Sequence, residues 1–143
     1  MKIALGADHG GFELKEKIKK HLTEKGYEVL DLGTNSTASV DYPEFGHAVG
    51  HAVTKKEADF GIVVCGTGIG ISIAANKVPG VRAALCTNTT MARLTREHNN
   101  ANVLAMGGRI VGDVLALEMV DIFLATEFQG GRHEKRVNSI EAI

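Results

Sequence analysis

The sequence has few cysteines, no excess of basic residues and no long apolar segment, and each absence argues against a class of function. Its only two cysteines, Cys65 and Cys86, form no CxxC pair, which argues against a disulfide framework and a four-ligand zinc site. The 16 Lys and Arg residues are balanced by 17 Asp and Glu residues, so the composition does not predict a nucleic-acid partner. No apolar run reaches the roughly 18 residues of a membrane span, and the first residues lack the apolar stretch of a signal peptide. We therefore expect a cytoplasmic protein without a membrane partner.

Short apolar runs alternate with amphipathic helices along the chain, and we predict a single domain over residues 1–143. The predicted strands are residues 3–6, 27–32, 59–65, 81–86 and 103–106, and the predicted helices are residues 12–25, 44–56, 71–77, 91–98, 113–125 and 133–140. Strands that are apolar throughout and separated by helices are typical of a parallel sheet covered on both faces. The pattern therefore predicts a three-layer α/β/α, Rossmann-like domain with a five-stranded parallel sheet.

Polar, reactive or glycine residues follow four of the predicted strands. These segments are Asp8-His9-Gly10-Gly11, the loop that begins at Cys65, Thr87-Asn88, and Gly107-Gly108-Arg109. Ligands of open α/β sheets bind beyond the carboxyl ends of the strands. We therefore predict a ligand site at this edge of the sheet.

The glycine-rich loop over residues 66–70 stands between a predicted strand and a predicted helix, where backbone N–H groups can bind an anion. Ile71 replaces the third glycine of a dinucleotide fingerprint, and the Gly-Lys-Ser/Thr of a P-loop is missing. An anion hole beside a reactive group remains possible, as does a plain tight turn that needs glycine. Cys65 is the candidate reactive group, since a helix N-terminus favours thiolate, although a small apolar residue closing a strand is the simpler interpretation. Cys86 has no glycine loop after it and is interpreted as structural.

Two arginines open the last predicted helix. Arg132 and Arg136 are four residues apart, so they share a face, and their repulsion costs roughly 0.2–0.5 kcal/mol. A bound phosphate would turn that repulsion into binding, because arginines chelate phosphate oxygens. The alternative is a solvated charged face with Glu134 as the partner.

The histidines have both functional and structural interpretations. His9 follows Asp8, which can cap the next helix and leave the histidine a bystander. His98 ends a predicted helix, where a cation is favourable without any function. His47 and His51 are four residues apart, but no third ligand is evident, so we expect no metal site.

Six motifs in order resemble those of the ribose-5-phosphate isomerase B family, over essentially the whole chain. They are Gly6-Ala7-Asp8-His9-Gly10-Gly11, Asp41-Tyr42-Pro43, Cys65-Gly66-Thr67-Gly68-Ile69-Gly70, His98-Asn99, Gly107-Gly108-Arg109, and Arg132 with Arg136. Some members use a glutamate in the helix after the loop instead of the cysteine. Residues 71–77 contain no acid, so this chain is similar to the cysteine type.

The resemblance implies an aldose–ketose isomerase of the pentose phosphate pathway that interconverts ribose 5-phosphate and ribulose 5-phosphate through an enediolate, without a cofactor or metal. Cys65 would be the base, Thr67 would move a hydroxyl proton, and Asp8 and His98 would open the furanose ring. The substrate-binding residues would be His9, Tyr42, Gly66, Gly68, Ile69, Gly70, Asn99, Arg109, Arg132 and Arg136, with His9 and the last two on the phosphate.

The resemblance also implies a homodimer, or a dimer of dimers, with the site at the subunit interface. His98, Asn99 and Arg109 would then come from the partner subunit. Three other functions remain open: a hexose-6-phosphate isomerase of the same family, acting on allose or galactose 6-phosphate; a phosphate-ligand-binding module without turnover; and a Cys–His hydrolase with Cys65 as nucleophile.

Overall fold

The computed structural model describes all 143 residues, which form a central sheet of five parallel strands between two layers of helices. The strands are β1 (Lys2–Ala7), β2 (Glu28–Asp31), β3 (Phe60–Cys65), β4 (Ala83–Leu85) and β5 (Val103–Gly107), in the order β2-β1-β3-β5-β4. The helices are α1 (Phe12–Glu24), α2 (Tyr42–Thr54), α3 (Ile69–Asn76), α4 (Thr89–Asn99), α5 (Asp113–Ala125) and α6 (Arg132–Glu141). The predicted three-layer fold with five parallel strands is confirmed.

The three central strands are buried on both faces, which explains why they carry almost no polar side chain. Alternate residues of β1, β3 and β5 point to opposite sides of the sheet. One set, which includes Leu5, Ile62 and Leu104, packs in a core with residues of α1, α4 and α5. The other set, which includes Val63, packs with Val49 of α2 and residues of α3. The site-bearing loops therefore extend from the rigid centre of the sheet.

The two edge strands differ from the sequence prediction. β4 is limited to Ala83–Leu85, and the side-chain amide of Asn76 bonds both the N–H and the carbonyl of Ala83, at 2.8 and 2.9 Å. β2 carries the exposed Glu28, so it is not apolar throughout as predicted. Edge strands need only one buried face and pairing on one side, which a count of apolar residues does not reveal.

Lys15 is fully buried, although lysine is usually exposed. Its side chain is 1% exposed, and its Nζ lies 2.8 Å from Asp31 Oδ1 at the end of β2. Burial acts to raise the pKa of the Asp31 carboxyl, but hydrogen bonds from Lys15, the Gly33 N–H and Lys19 outweigh it, so that pKa lies below its usual value. The ion pair thus joins α1 to the edge of the sheet.

None of the helices combines the length and the apolar character that crossing a membrane requires.

Candidate active site

Three loops meet at the carboxyl edge of the sheet, after β1, β3 and β5. A β-carbon added to Gly10 would lie 3.0 Å from the Gly66 nitrogen, and one added to Gly108 would lie 2.8 Å from the Gly10 oxygen. The Arg109 N–H also donates to the Gly66 carbonyl at 3.0 Å. Backbone contact of this kind leaves no room for side chains, which accounts for the glycines. Three of the four segments predicted at this edge are therefore in direct contact.

Cys65 is buried at the end of β3 and faces the start of α3. Its Sγ accepts a hydrogen bond from the Gly68 N–H at 3.1 Å. Gly68 has a φ of 81°, a left-handed conformation that glycine adopts at little cost, and this turn directs its N–H back toward the sulfur. An N–H donor and the positive end of a helix dipole both favour negative charge on sulfur. The Cys65 sulfur therefore lies where backbone groups can stabilise a negative charge.

Cys86 is the internal comparison for Cys65, since both thiols are free and buried. Its Sγ lies 3.8 Å from the Ala84 carbonyl, and no backbone N–H donates to it. Burial raises the pKa of the Cys86 thiol to about 11. The structural interpretation of Cys86 fits this environment.

The glycine loop offers backbone donors next to the Cys65 sulfur. The N–H groups of Gly66, Thr67 and Gly70 donate to no protein acceptor, whereas the Ile69 N–H donates to Thr67 Oγ1 at 3.2 Å. Thr67 is exposed, so its hydroxyl can reach a ligand in the loop. Free N–H groups aimed at one position can stabilise an oxyanion. The loop therefore has the chemistry of an anion hole.

Asp8 and His9 lie beside this loop, and each is held by the backbone. Asp8 Oδ1 accepts hydrogen bonds from the N–H groups of Gly10 and Gly11 at 2.9 and 3.1 Å, so Asp8 does shape the turn before α1. His9 Nδ1 accepts the Val40 N–H at 3.2 Å. A neutral His9 therefore carries its proton on Nε2, where it can donate to an anion.

Tyr42 and Arg109 both border the glycine loop. A β-carbon added to Gly70 would lie 2.6 Å from the Tyr42 ring, so the ring packs directly on the loop backbone. One added to Gly66 would lie 3.2 Å from the Arg109 guanidinium of the same chain. Arg109 therefore already lies beside the glycine loop of its own chain. Its action from the partner subunit stays a prediction.

The other predicted site residues form a second group at the amino edge of the sheet. α4 runs back from the carboxyl edge, and the guanidinium carbon of Arg96 near its end lies 4.8 Å from the ring centroid of Phe60. Phe60 is the first residue of β3 and Cys65 the last, and six residues of strand span about 17 Å. His98 and Asn99 therefore lie far from Cys65 within one chain.

Arg132 and Arg136 belong to this second group, because α6 packs on α4. Both arginines are exposed, as a phosphate-binding role requires. The family resemblance implies that they bind phosphate together with His9, which lies at the opposite edge of the sheet. One chain alone therefore does not bring the three predicted phosphate ligands together.

His133 is a member of the second group that the sequence analysis did not single out. It is 8% exposed, and its ring stacks on His98 with centroids 4.3 Å apart and planes 12° from parallel. Burial lowers its pKa, and the nearby His98, Arg132 and Arg136 lower it further. The spacing of His133 and Val137, the two buried residues of α6, was the available sequence signal.

His47 and His51 are exposed on α2, and the chain has no group of three or more His, Cys, Asp or Glu side chains suited to a metal ion.

Comparison with known proteins identifies the family. The family model for ribose/galactose isomerases matches residues 3–140. Ribose-5-phosphate isomerase B of Escherichia coli is 52% identical over 142 residues, which cover 99% of this chain and 95% of that protein. The structure of ribose-5-phosphate isomerase B from Clostridium thermocellum is 60% identical with a TM-score of 0.99, covering 99% of this chain and 96% of that one. The Mycoplasma genitalium enzyme, solved with bound ribulose 5-phosphate, is 45% identical with a TM-score of 0.94, covering 99% and 94%. The chain belongs to the ribose/galactose isomerase family.

Proposed function

We propose that the protein interconverts ribose 5-phosphate and ribulose 5-phosphate in the cytoplasm. The observation that carries this proposal is the hydrogen bond from the Gly68 N–H to the Cys65 sulfur, next to a glycine loop whose other backbone N–H groups include several without a protein acceptor. Isomerising an aldose to a ketose needs a base, a stabilised oxyanion and a route for hydroxyl protons. At the carboxyl edge of the sheet, Cys65 can serve as the base, the N–H groups of the glycine loop can stabilise the oxyanion, and Thr67 can move the hydroxyl proton.

The proposed reaction moves one carbon-bound proton and one oxygen-bound proton. The Cys65 thiolate removes the proton from C2 of the open-chain aldose, and the resulting enediolate is held by the N–H groups of the glycine loop. The thiol then returns a proton to C1, while Thr67 moves a proton between the oxygens on C1 and C2. Redox balance is internal, because C1 is reduced as C2 is oxidised. Asp8 and His98 act earlier, when they open the furanose ring.

A second copy of the chain is needed to complete this site. In one chain, His98 and Asn99 lie at the end of α4, near the end of β3 that is opposite to Cys65, and α6 carries Arg132 and Arg136 by packing on α4. The strand between these two ends spans about 17 Å, which exceeds the length of one small sugar phosphate. In a two-fold dimer, these residues at the amino edge of each chain can lie against the carboxyl edge of the other chain. In that arrangement His9 of one chain and both arginines of the other bind one phosphate, and Asn99 and Tyr42 contact the sugar.

The surface beside the glycine loop fits such a partner. Ile69 and Ile73 on α3 are 52% and 57% exposed, and they are one turn apart on the same helix. Exposed apolar side chains grouped in this way commonly mark a protein interface. Pairing through this surface would bring the second chain close to Cys65.

A mixed-dimer experiment tests both the chemistry and the shared site. Cys65→Ala and His98→Ala homodimers should each convert ribose 5-phosphate weakly, while the control Cys86→Ala stays active. Co-refolding equal amounts should restore activity to roughly a quarter of wild type, because half the dimers are mixed and half of their sites carry neither lesion. Full activity in Cys65→Ala alone would exclude the proposed chemistry. If mixed dimers form but activity stays at the sum of the two variants, the shared site is wrong.

The family name covers galactose as well as ribose isomerases, so hexose 6-phosphates are the second candidate substrates. Initial rates with ribose 5-phosphate, allose 6-phosphate and galactose 6-phosphate should be highest for the pentose. Binding of all three without turnover would favour a ligand-binding module, and a covalent acyl adduct on Cys65 would favour a hydrolase.

A further inference from the structure

We propose that His133 is a positioning residue for His98: the stacked ring fixes the plane of the His98 imidazole. This inference rests on the proposed function, in which His98 helps to open the ribose ring. His133 itself need not contact the substrate, since it is buried beneath the ring that does.

The stack lies where α4 and α6 pack together, and several hydrogen bonds hold this contact in place. The Gln129 N–H donates to the Glu97 carbonyl at 3.1 Å, and Arg96 Nε donates to the Thr126 carbonyl at 3.1 Å. Both bonds tie the end of α4 to the segment that leads into α6. The His133 N–H also donates to the Gly130 carbonyl at 3.0 Å, which fixes the first turn of α6. The two rings therefore cannot shift independently.

The charges around the stack act against a second proton. His98 and Glu97 face the His133 ring from α4, and Arg132 and Arg136 face it from α6. Two imidazolium rings at 4.3 Å would repel each other, and the two arginines add to this repulsion. Glu97 opposes them, but it is already paired with Arg93 at 3.0 Å.

Burial gives the two rings different roles. His133 is 8% exposed, whereas His98 is half-buried and reaches the surface. Desolvation penalises charge on the more buried ring, so burial lowers the pKa of His133 and favours its neutral form. A general acid needs a fixed direction toward the oxygen that receives its proton, and the stack supplies that direction for His98.

Ring opening provides a readout that simple packing does not. Ribose 5-phosphate is mainly a furanose, whereas ribulose 5-phosphate is open-chain, because its phosphate occupies the oxygen that would close a five-membered ring. A defect in ring opening should therefore slow turnover of ribose 5-phosphate and spare the initial rate from ribulose 5-phosphate. Loss of fold or of dimer contacts should slow both directions equally.

The test compares His133→Ala, His133→Phe and the control Val137→Ala, which shortens the other buried residue of α6 one turn away. A positioned acid accelerates a reaction by about 10²–10⁴-fold. Because His133→Ala should disturb only the orientation of that acid, we expect it to slow turnover of ribose 5-phosphate by roughly tenfold. His133→Phe keeps a flat ring and should recover most of the loss, and Val137→Ala should stay near wild type. In a His98→Ala background, His133→Ala should cause no further loss.

An NMR titration of the His133 ring C–H signals tests the contact between the two rings without activity. The pKa of His133 should lie below the usual histidine value, and His98→Phe should raise the pH at which His133 protonates. Equal losses in both directions, additive losses in the double variant, or a His133 titration that His98→Phe leaves unchanged would each overturn the proposal. Cys65→Ala separates this result from the proposed function, because it should abolish both directions whatever His133 does.

Discussion

The buried ion pair between Lys15 and Asp31 makes an asymmetric prediction about stability. Lys15 is 1% exposed, and without Asp31 its only other anionic partner is Glu16 at 3.1 Å, a side chain that is 44% exposed. Asp31 is 16% exposed, and without Lys15 it would keep Lys19 at 3.0 Å and the Gly33 N–H at 3.0 Å. Removing the carboxylate therefore leaves a buried cation with one exposed partner, whereas removing the lysine leaves a partly exposed anion that keeps two partners.

The expected magnitudes follow from these remaining partners. Breaking a buried pair costs about 3–5 kcal/mol, and Glu16 places Asp31→Asn near the lower limit, at about 3 kcal/mol. Lys15→Met replaces the buried ammonium group with an apolar side chain of similar size and should lower the free energy of unfolding by about 1 kcal/mol. The double variant should cost less than the sum, because the buried charge is gone.

Urea unfolding followed by circular dichroism, at one fixed protein concentration, measures these differences in the free energy of unfolding. Lys20→Met is the matched control on α1, since Lys20 is 79% exposed and should change stability by less than about 0.5 kcal/mol. A larger cost for Lys15→Met than for Asp31→Asn would refute the reasoning, because it would mean that Asp31 depends on Lys15 and not the reverse.

Two further predictions concern acid and thiol chemistry. The folded pKa of Asp31 is depressed, so its stabilisation is complete above the unfolded value near ~4 and is lost as pH falls through the lower folded pKa. The stability gap between wild type and Asp31→Asn should therefore shrink on titration from pH 7 toward pH 3, and a constant gap would contradict this. Iodoacetamide at pH 8 should label Cys65 before Cys86, because a thiol with a pKa of about 11 is almost wholly protonated there. Peptide mapping by mass spectrometry would count against this if Cys86 reacted first.

Local sequence patterns determined the layered fold and the carboxyl-edge half of the site. β1, β3 and β5 are buried on both faces, and that requirement is visible in their uninterrupted apolar residues. The turn at Gly68 is also local, because the glycine permits a left-handed φ three residues after Cys65. Residues this close in the chain meet whatever the rest of the fold does.

Tertiary structure alone decided how the remaining site residues divide between the two edges of the sheet. His98 lies at the amino edge because α4 must return there before β5 begins, and α6 carries Arg132 and Arg136 to the same place by packing on α4. Motifs in sequence order do not show this distance. His133 and Lys15 were missed for a related reason: their polar side chains are buried only because His98 and Asp31, distant in sequence, meet them in the folded chain. Contacts of that kind depend on strand order and helix packing, which the alternation of apolar and polar residues does not encode.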